Sequence, residues 1–148
     1  MSVQSQVMDQ MKVAMKSKDK VALESLRALK SAFLLANTSG GNADLTEEDE
    51  IKIVQKLVKQ RKDSAAIYTT QGRADLADPE LAQSAILEQF LPAQMSEDEL
   101  TEVIGAIISQ TGASSMRDMG KVMGMASQQL SGKADGKTIS MLVKNLLT

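Results

Sequence analysis

Ser114–Leu147 reads SSMRDMGKVMGMASQQLSGKADGKTISMLVKNLL, and its spacing decides for an all-α chain. Met119, Val122, Met123, Ala126 and Leu130 recur at helical intervals on one face. Ile139, Leu142, Val143 and Leu146 do the same beyond a Gly132-Lys133-Ala134-Asp135-Gly136 turn, so two short helices are expected. Ser115 is the expected N-cap of the first, with Asp118 in its first turn, and Asp135 caps the second. At about 100° per residue, the side opposite the first stripe carries Arg117, Gly120, Lys121, Gly124, Gln128 and Ser131. Glycine costs about 1 kcal/mol against alanine inside a helix, so two on an outward face ask for a reason. Either another backbone comes close from outside while Arg117 and Lys121 supply charge, or the same chain packs there, or the glycines are tolerated. Lys137, Ser140 and Lys144 line the outer side of the last helix, with Lys133 in the turn. From Val103 onward five Lys/Arg face only Asp118 and Asp135, a net of +3 on a chain at −2. A basic end on an acidic protein points to an anionic partner.

Upstream of this tail, Leu100, Val103, Ile104, Ile107 and Ile108 form the strongest helical repeat in the chain, and Thr111-Gly112 closes it. Ser96-Glu97-Asp98-Glu99 is its capping box. Leu91-Pro92 ends the helix before it, so the chain is expected to divide into an N-terminal antiparallel helical lobe, 1–92, and a three-helix tail lobe, 96–148. In that preceding helix Leu81, Ala82, Ala85, Ile86 and Phe90 fall on one side while Leu87 and Leu91 fall on another. A helix apolar on both sides is buried on both sides, which wedges it between the N-terminal lobe and the tail. Asp78-Pro79 reads as its N-cap and first residue, with a start near Asp75 and the proline in the first turn as the alternative. Thr46 opens the helix before that, with Glu47, Glu48, Asp49 and Glu50 at its positive dipole end. Ile51, Val54, Leu57, Val58, Ala65 and Tyr68 form its stripe, up to Gly72. Thr38-Ser39-Gly40-Gly41-Asn42 reads as a loop. Before it, Leu26, Leu29 and Phe33 sit inside a helix capped by Asp19, and Val3, Val7, Met8, Met11, Ala14 and Met15 make the first amphipathic helix.

Composition excludes more than it proposes. The 148 residues contain no Cys and no His, which removes disulfides, thiolate metal sites and the usual general base. With one Tyr and two Phe, packing falls to aliphatic residues and ten Met, favouring helix on helix. No long apolar run suggests export or a membrane span, so a soluble, cytoplasmic protein without a cofactor or metal is expected. The acid run Glu47 to Glu50 is accounted for by helix electrostatics. No nucleophile–base set or phosphate-cradling loop stands out, and a non-enzymatic protein is expected. Lys52, Lys56 and Lys59 line one side of the third helix as a secondary basic face. Glu48 and Asp63 are placed to pair with it. Arg61 falls beside the apolar stripe and is expected to pair internally.

Gly120-Lys121-Val122-Met123, Gly132-Lys133-Ala134-Asp135-Gly136, Ile139-Ser140 and Leu142-Val143 resemble the YqeY family. So do Met15-Lys16-Ser17-Lys18-Asp19-Lys20, Leu26-Arg27 with Lys30-Ser31-Ala32, and Val58-Lys59-Gln60-Arg61-Lys62-Asp63-Ser64. Tyr68, Gly72-Arg73, Asp75-Leu76-Ala77 and Leu91-Pro92-Ala93-Gln94-Met95-Ser96-Glu97 extend the likeness over nearly the whole chain, and Asp78-Pro79 departs from it. The tail is also similar to the helical tail domain of the B subunit of tRNA-dependent glutamyl/aspartyl amidotransferase, whose catalytic domain has no counterpart here. The resemblance implies a non-catalytic, tRNA-associated accessory protein. Its candidate RNA contacts are Arg117, Gly120, Lys121, Gly124, Lys133, Lys137 and Lys144. A second reading is an adaptor that docks a helix of a synthetase or amidotransferase subunit on the glycine face. A third, carbon–nitrogen ligase activity with glutamine as amide donor, runs against the missing catalytic residues.

Overall fold

The computed structural model describes residues 2–40 and 44–148. Among them run seven α-helices and no strand, so the chain is all-α. The helices are α1 Val3–Ser17, α2 Lys20–Ser39, α3 Glu47–Thr70, α4 Ala74–Glu88, α5 Glu97–Thr111, α6 Met119–Gln129 and α7 Gly136–Leu147, with a 3-10 turn Met116–Asp118 ahead of α6. None of these helices is long and apolar enough to cross a membrane. The chain divides into two units, Met1–Leu91 and Pro92–Thr148.

In the first unit, short-range polar groups place the helix ends. Asp19 accepts the Ala22 N–H at 3.1 Å and starts α2. Thr46 and Asp49 form a reciprocal capping box at the start of α3. The Thr46 bonds hold the Asp49 carboxyl below its usual range. Gly72, at φ 72°, closes α3: its N–H donates to the Thr69 carbonyl and that of Arg73 to Tyr68, a Schellman end. At its C-terminus α2 continues through Thr38 and Ser39, which the composition reads as loop. Both hydroxyls donate back to the Leu35 carbonyl, at 3.0 and 2.7 Å, so the two polar side chains are satisfied within the helix rather than by leaving it. Gly41 and Asn42, the rest of that expected loop, lie outside the described residues.

Glu50 does something the acid run did not announce. Its side chain is buried and accepts the Gln4 N–H at 2.9 Å, so a residue of α3 caps α1 from 46 positions away. Removing a buried charged acceptor costs about 1.5–3 kcal/mol. Glu50→Ala is therefore expected to lower stability by that amount, and Glu47→Ala, an exposed neighbour, by less than about 0.5 kcal/mol. Equal denaturation midpoints for the two variants would remove Glu50 from this role.

The orientation of α4 departs from expectation. Ala77, Ser84 and Leu87 are its buried residues, whereas Leu81 is 47% exposed and Ala82 and Ala85 face outward. Leu87 sits in the first unit's core with Leu26, Leu29, Phe33, Val54 and Val58, and Leu91 packs at its edge. The wedge reading is thus wrong for Leu87: α4 lies against α2 and α3, and Leu87 faces that core. Apolar residues occur all round α4, so no stripe specifies which side turns inward. Ser84 can be inside because its hydroxyl donates to the Leu81 carbonyl at 2.8 Å, leaving no orphan polar atom. Of the two starts considered, the earlier one holds to within a residue: the helix begins at Ala74, leaving Pro79 in its second turn rather than its first, where it cannot donate to the Asp75 carbonyl. Arg73 forks onto Asp75 at 3.0 and 2.9 Å across that first turn.

The second unit is a three-helix arrangement in which α5, α6 and α7 each touch the other two. Ser96 and Glu99 form the expected capping box, and Gly112, at φ 67°, ends α5. Leu100, Ile104 and Ile107 meet Val122, Ala126 and Leu130 from α6 and its end, and Ile139, Leu142, Val143 and Leu147 from α7. Leu147 occupies the inward position expected for Leu146, which is 41% exposed. The two are adjacent at the end of one stripe, and packing selects between them.

Candidate nucleic-acid interface

The face read from the sequence at the start of the tail is built differently from its expected cap. Ser115 precedes the 3-10 turn with no side-chain bond, and α6 begins only at Met119. Asp118 turns backward instead, accepting the Ser114 N–H at 3.0 Å. Arg117 therefore projects from the 3-10 turn rather than from α6, although it is exposed as expected. Gly120, Lys121 and Gly124 do share one exposed face of α6, opposite the buried Val122 and Ala126. Beyond its own stretch of helix, a Cβ built on Gly120 or Gly124 would meet no described atom within 4 Å. Packing by the described residues of the second unit is therefore not the reason for two glycines there. The surface over them is open to something from outside.

Lys133, Lys137 and Lys144 occupy the turn and α7. Lys137 and Lys144 are seven residues apart on one side of α7, about 10 Å along its axis, and both are exposed. Lys133 is carried by a turn that is stitched from upstream. The Met95 N–H donates to the Lys133 carbonyl at 3.0 Å, and the Gln94 amide donates to the Gly132 carbonyl at 2.7 Å. Gly132, at φ 79°, takes the left-handed conformation that glycine accepts without strain. Sequence reasoning quoted Gln94 and Met95 only for their likeness to a family. Their task of holding a lysine-bearing turn 38 positions away left no local signal. Gln94→Ala should cost about 1 kcal/mol of second-unit stability, whereas Gln94→Glu, which loses the donor, should cost at least as much. If neither variant shifts the thermal midpoint, the stitch carries no weight.

Electrostatically, none of Arg117, Lys121, Lys133, Lys137 and Lys144 makes an ion pair among the described residues. Both acids of that stretch are committed to backbone: Asp118 to Ser114, and Asp135 to the Lys137 N–H at 3.2 Å. The other acids of the unit, Glu97, Asp98, Glu99 and Glu102, gather on the first turns of α5. Charge is thus segregated along the chain, with cations on the last two helices and their turn.

The secondary basic face belongs to the first unit. Lys52 is tied to Glu48 at 2.8 Å, which raises its pKa, while Lys56 and Lys59 are exposed and Asp63 does not reach Lys59. Of the expected salt-bridged face, only the Lys52 half forms. Arg61 pairs internally as expected, its Nε donating to the Gln83 side chain at 3.1 Å and a terminal nitrogen to the Leu57 carbonyl at 3.3 Å. Phe33 and Phe90 are buried and Tyr68 is half-buried, so no ring stands free for base stacking. No cluster of three carboxylates among the described residues could hold a metal ion.

A family model described as Yqey-like protein matches residues 4–147. Among curated proteins, Altered inheritance of mitochondria protein 41, mitochondrial, of Meyerozyma guilliermondii is 32% identical over 127 residues, covering 80% of this chain and 63% of that protein. The protein of the same name from Pyrenophora tritici-repentis is 26% identical over 142 residues, 93% of this chain and 76% of that protein. A glutamyl-tRNA(Gln) amidotransferase subunit of Thermococcus gammatolerans is 34% identical over 101 residues, 66% of this chain but 16% of that protein. That match is longer than Pro92–Thr148 can hold, so the amidotransferase likeness, expected mainly in the tail, extends into the first unit.

Proposed function

The chain belongs to the YqeY family, and from that membership we propose that it is a non-catalytic, tRNA-associated accessory protein that presents the tail cations to the outer surface of a folded tRNA. The observation that carries this is the conjunction on the second unit. Arg117 and Lys121 are exposed and unpaired among the described residues, beside Gly120 and Gly124 with open space above them. A phosphate chain needs charge and close access to a backbone, and has no use for an apolar floor. Lys133, Lys137 and Lys144 extend the charge. The tRNA itself is brought by the archaeal relative, whose name is that of a glutamyl-tRNA(Gln) amidotransferase component. Without an exposed ring, contact is by phosphate and shape rather than by reading bases. Residues 96–148, on this reading, are a tail domain that does the docking and 1–92 its companion lobe. Cytoplasmic placement belongs to the same proposal; two fungal relatives carry "mitochondrial" in their names.

The second reading keeps the same glycine face but gives it a helix of a synthetase or amidotransferase subunit, since a helix also exploits backbone left bare. Salt separates the two. Phosphate contacts release counterions, so log affinity falls linearly with log salt, by about 0.7–0.9 per phosphate contact. Titration of total tRNA from 50 to 300 mM KCl should give a slope of several units. A flat response, or no binding at the lowest salt, would refute the RNA reading and leave the helix.

A further inference from the structure

We propose that the groove between α1 and α2 binds an acidic amphipathic helix of a partner protein. It is distinct from the tail face and independent of the tRNA reading. Val7 and Phe33, both buried, form the floor, and Met8 and Leu34 form the walls. The sequence pattern places Met8 inside, yet it is 42% exposed, and Leu34 is 63% exposed. On α2 the groove residues Lys30, Phe33, Leu34 and Asn37 fall at i, i+3, i+4 and i+7, and on α1 Gln4, Val7 and Met8 fall at i, i+3 and i+4. Two neighbouring helices thus present a trough of about two turns, the shape into which a third helix lays its apolar stripe.

Charge selects the occupant. Residues 2–40 carry Lys12, Lys16, Lys18, Lys20, Arg27 and Lys30 against Asp9, Asp19 and Glu24. Those acids are engaged: Asp9 lies 3.9 Å from Lys12, Asp19 caps α2, and Glu24 accepts the Gln83 amide at 3.3 Å. Arg27 and Lys30, one turn apart on α2, are exposed and make no ion pair among the described residues. Lys30 stands at the groove itself. An apolar trough flanked by uncompensated cations is matched by apolar residues at i, i+3, i+4 and i+7 with Asp or Glu beside them. A phosphate chain would gain nothing from covering Met8 and Leu34, which sets this surface apart from the glycine face.

The test uses the full chain and two fluorescent peptides of roughly four helical turns. Both carry Leu at i, i+3, i+4 and i+7, one with Glu and the other with Lys at its flanking positions. Anisotropy should show the Glu peptide binding and the Lys peptide not. Leu34→Asp should weaken the Glu peptide at least tenfold, with an unchanged melting point because Leu34 is exposed. Arg27→Glu with Lys30→Glu should reverse the preference between peptides. No binding of the Glu peptide, equal binding of both, or indifference to Leu34→Asp would overturn the proposal. So would self-association in sedimentation that Leu34→Asp abolishes, which would seat a second copy in the groove. Binding of phosphatidylglycerol vesicles lost in the same variant would give the groove to a membrane and overturn the proposal equally.

Discussion

Leu87→Ala should lower the stability of the first unit by about 2–5 kcal/mol, the range for truncating a fully buried leucine. Leu87 has no exposed surface and lies among Leu26, Leu29, Phe33, Val54 and Val58, whose packed surfaces leave little freedom to collapse onto a void. The matched control is Leu81→Ala, six residues earlier on the same helix and 47% exposed. It should change stability by less than about 0.5 kcal/mol, partly because alanine is the better helix former. Chemical denaturation followed by circular dichroism reads both. The pair is decisive because the amino-acid pattern puts both leucines inside, on different sides of the helix, whereas the fold buries only Leu87. A larger loss at Leu81 than at Leu87 would mean that α4 is rotated by about a third of a turn from the orientation described.

The tail face should show the opposite separation, with binding lost while stability is kept or improved. Replacing Arg117 and Lys121 by Gln removes two exposed cations that make no ion pair among the described residues, so the fold should not notice. If each meets a phosphate, tRNA affinity should fall at low salt, and the salt slope should drop by about one unit per lost contact. Gly124→Leu works by bulk instead. Beyond its own stretch of helix, no described atom lies within 4 Å of an added Cβ, so the branch point is unobstructed, and replacing glycine in a helix contributes up to about 1 kcal/mol. A raised melting point with weakened tRNA binding is the expected outcome. Should Gly124→Leu bind tRNA as well as the parent chain, close backbone approach is not how the ligand sits. Should it destabilise the second unit, the open space above Gly124 is not real.

Several helix starts were legible in the sequence, though not those at Ser115 and Asp78, because a cap needs only residues within a few positions of one another. Ser96 with Glu99, Thr46, Asp19 and Asp135 all act where the chain places them, while the reciprocal bond from Asp49 to Thr46 came from the structure. The all-α class and the α5 core face were legible for a similar reason, since Leu100, Ile104 and Ile107 repeat without competition from another apolar side. Candidate cations were visible as a local charge excess, and likewise needed no fold. Three things were settled only by tertiary structure. Where two apolar faces compete, as on α4, or two adjacent leucines do, as at Leu146 and Leu147, the surfaces of neighbouring helices decide which is buried. Where a polar group serves a distant backbone, as Glu50 serves Gln4 and Gln94 serves Gly132, chain topology alone brings the partners together. Whether bare backbone is covered or free, as above Gly120 and Gly124, depends on where the rest of the chain goes. Local hydrogen bonding and periodicity are written within a turn or two of helix, whereas burial is a competition among all the surfaces that a folded chain can bring together.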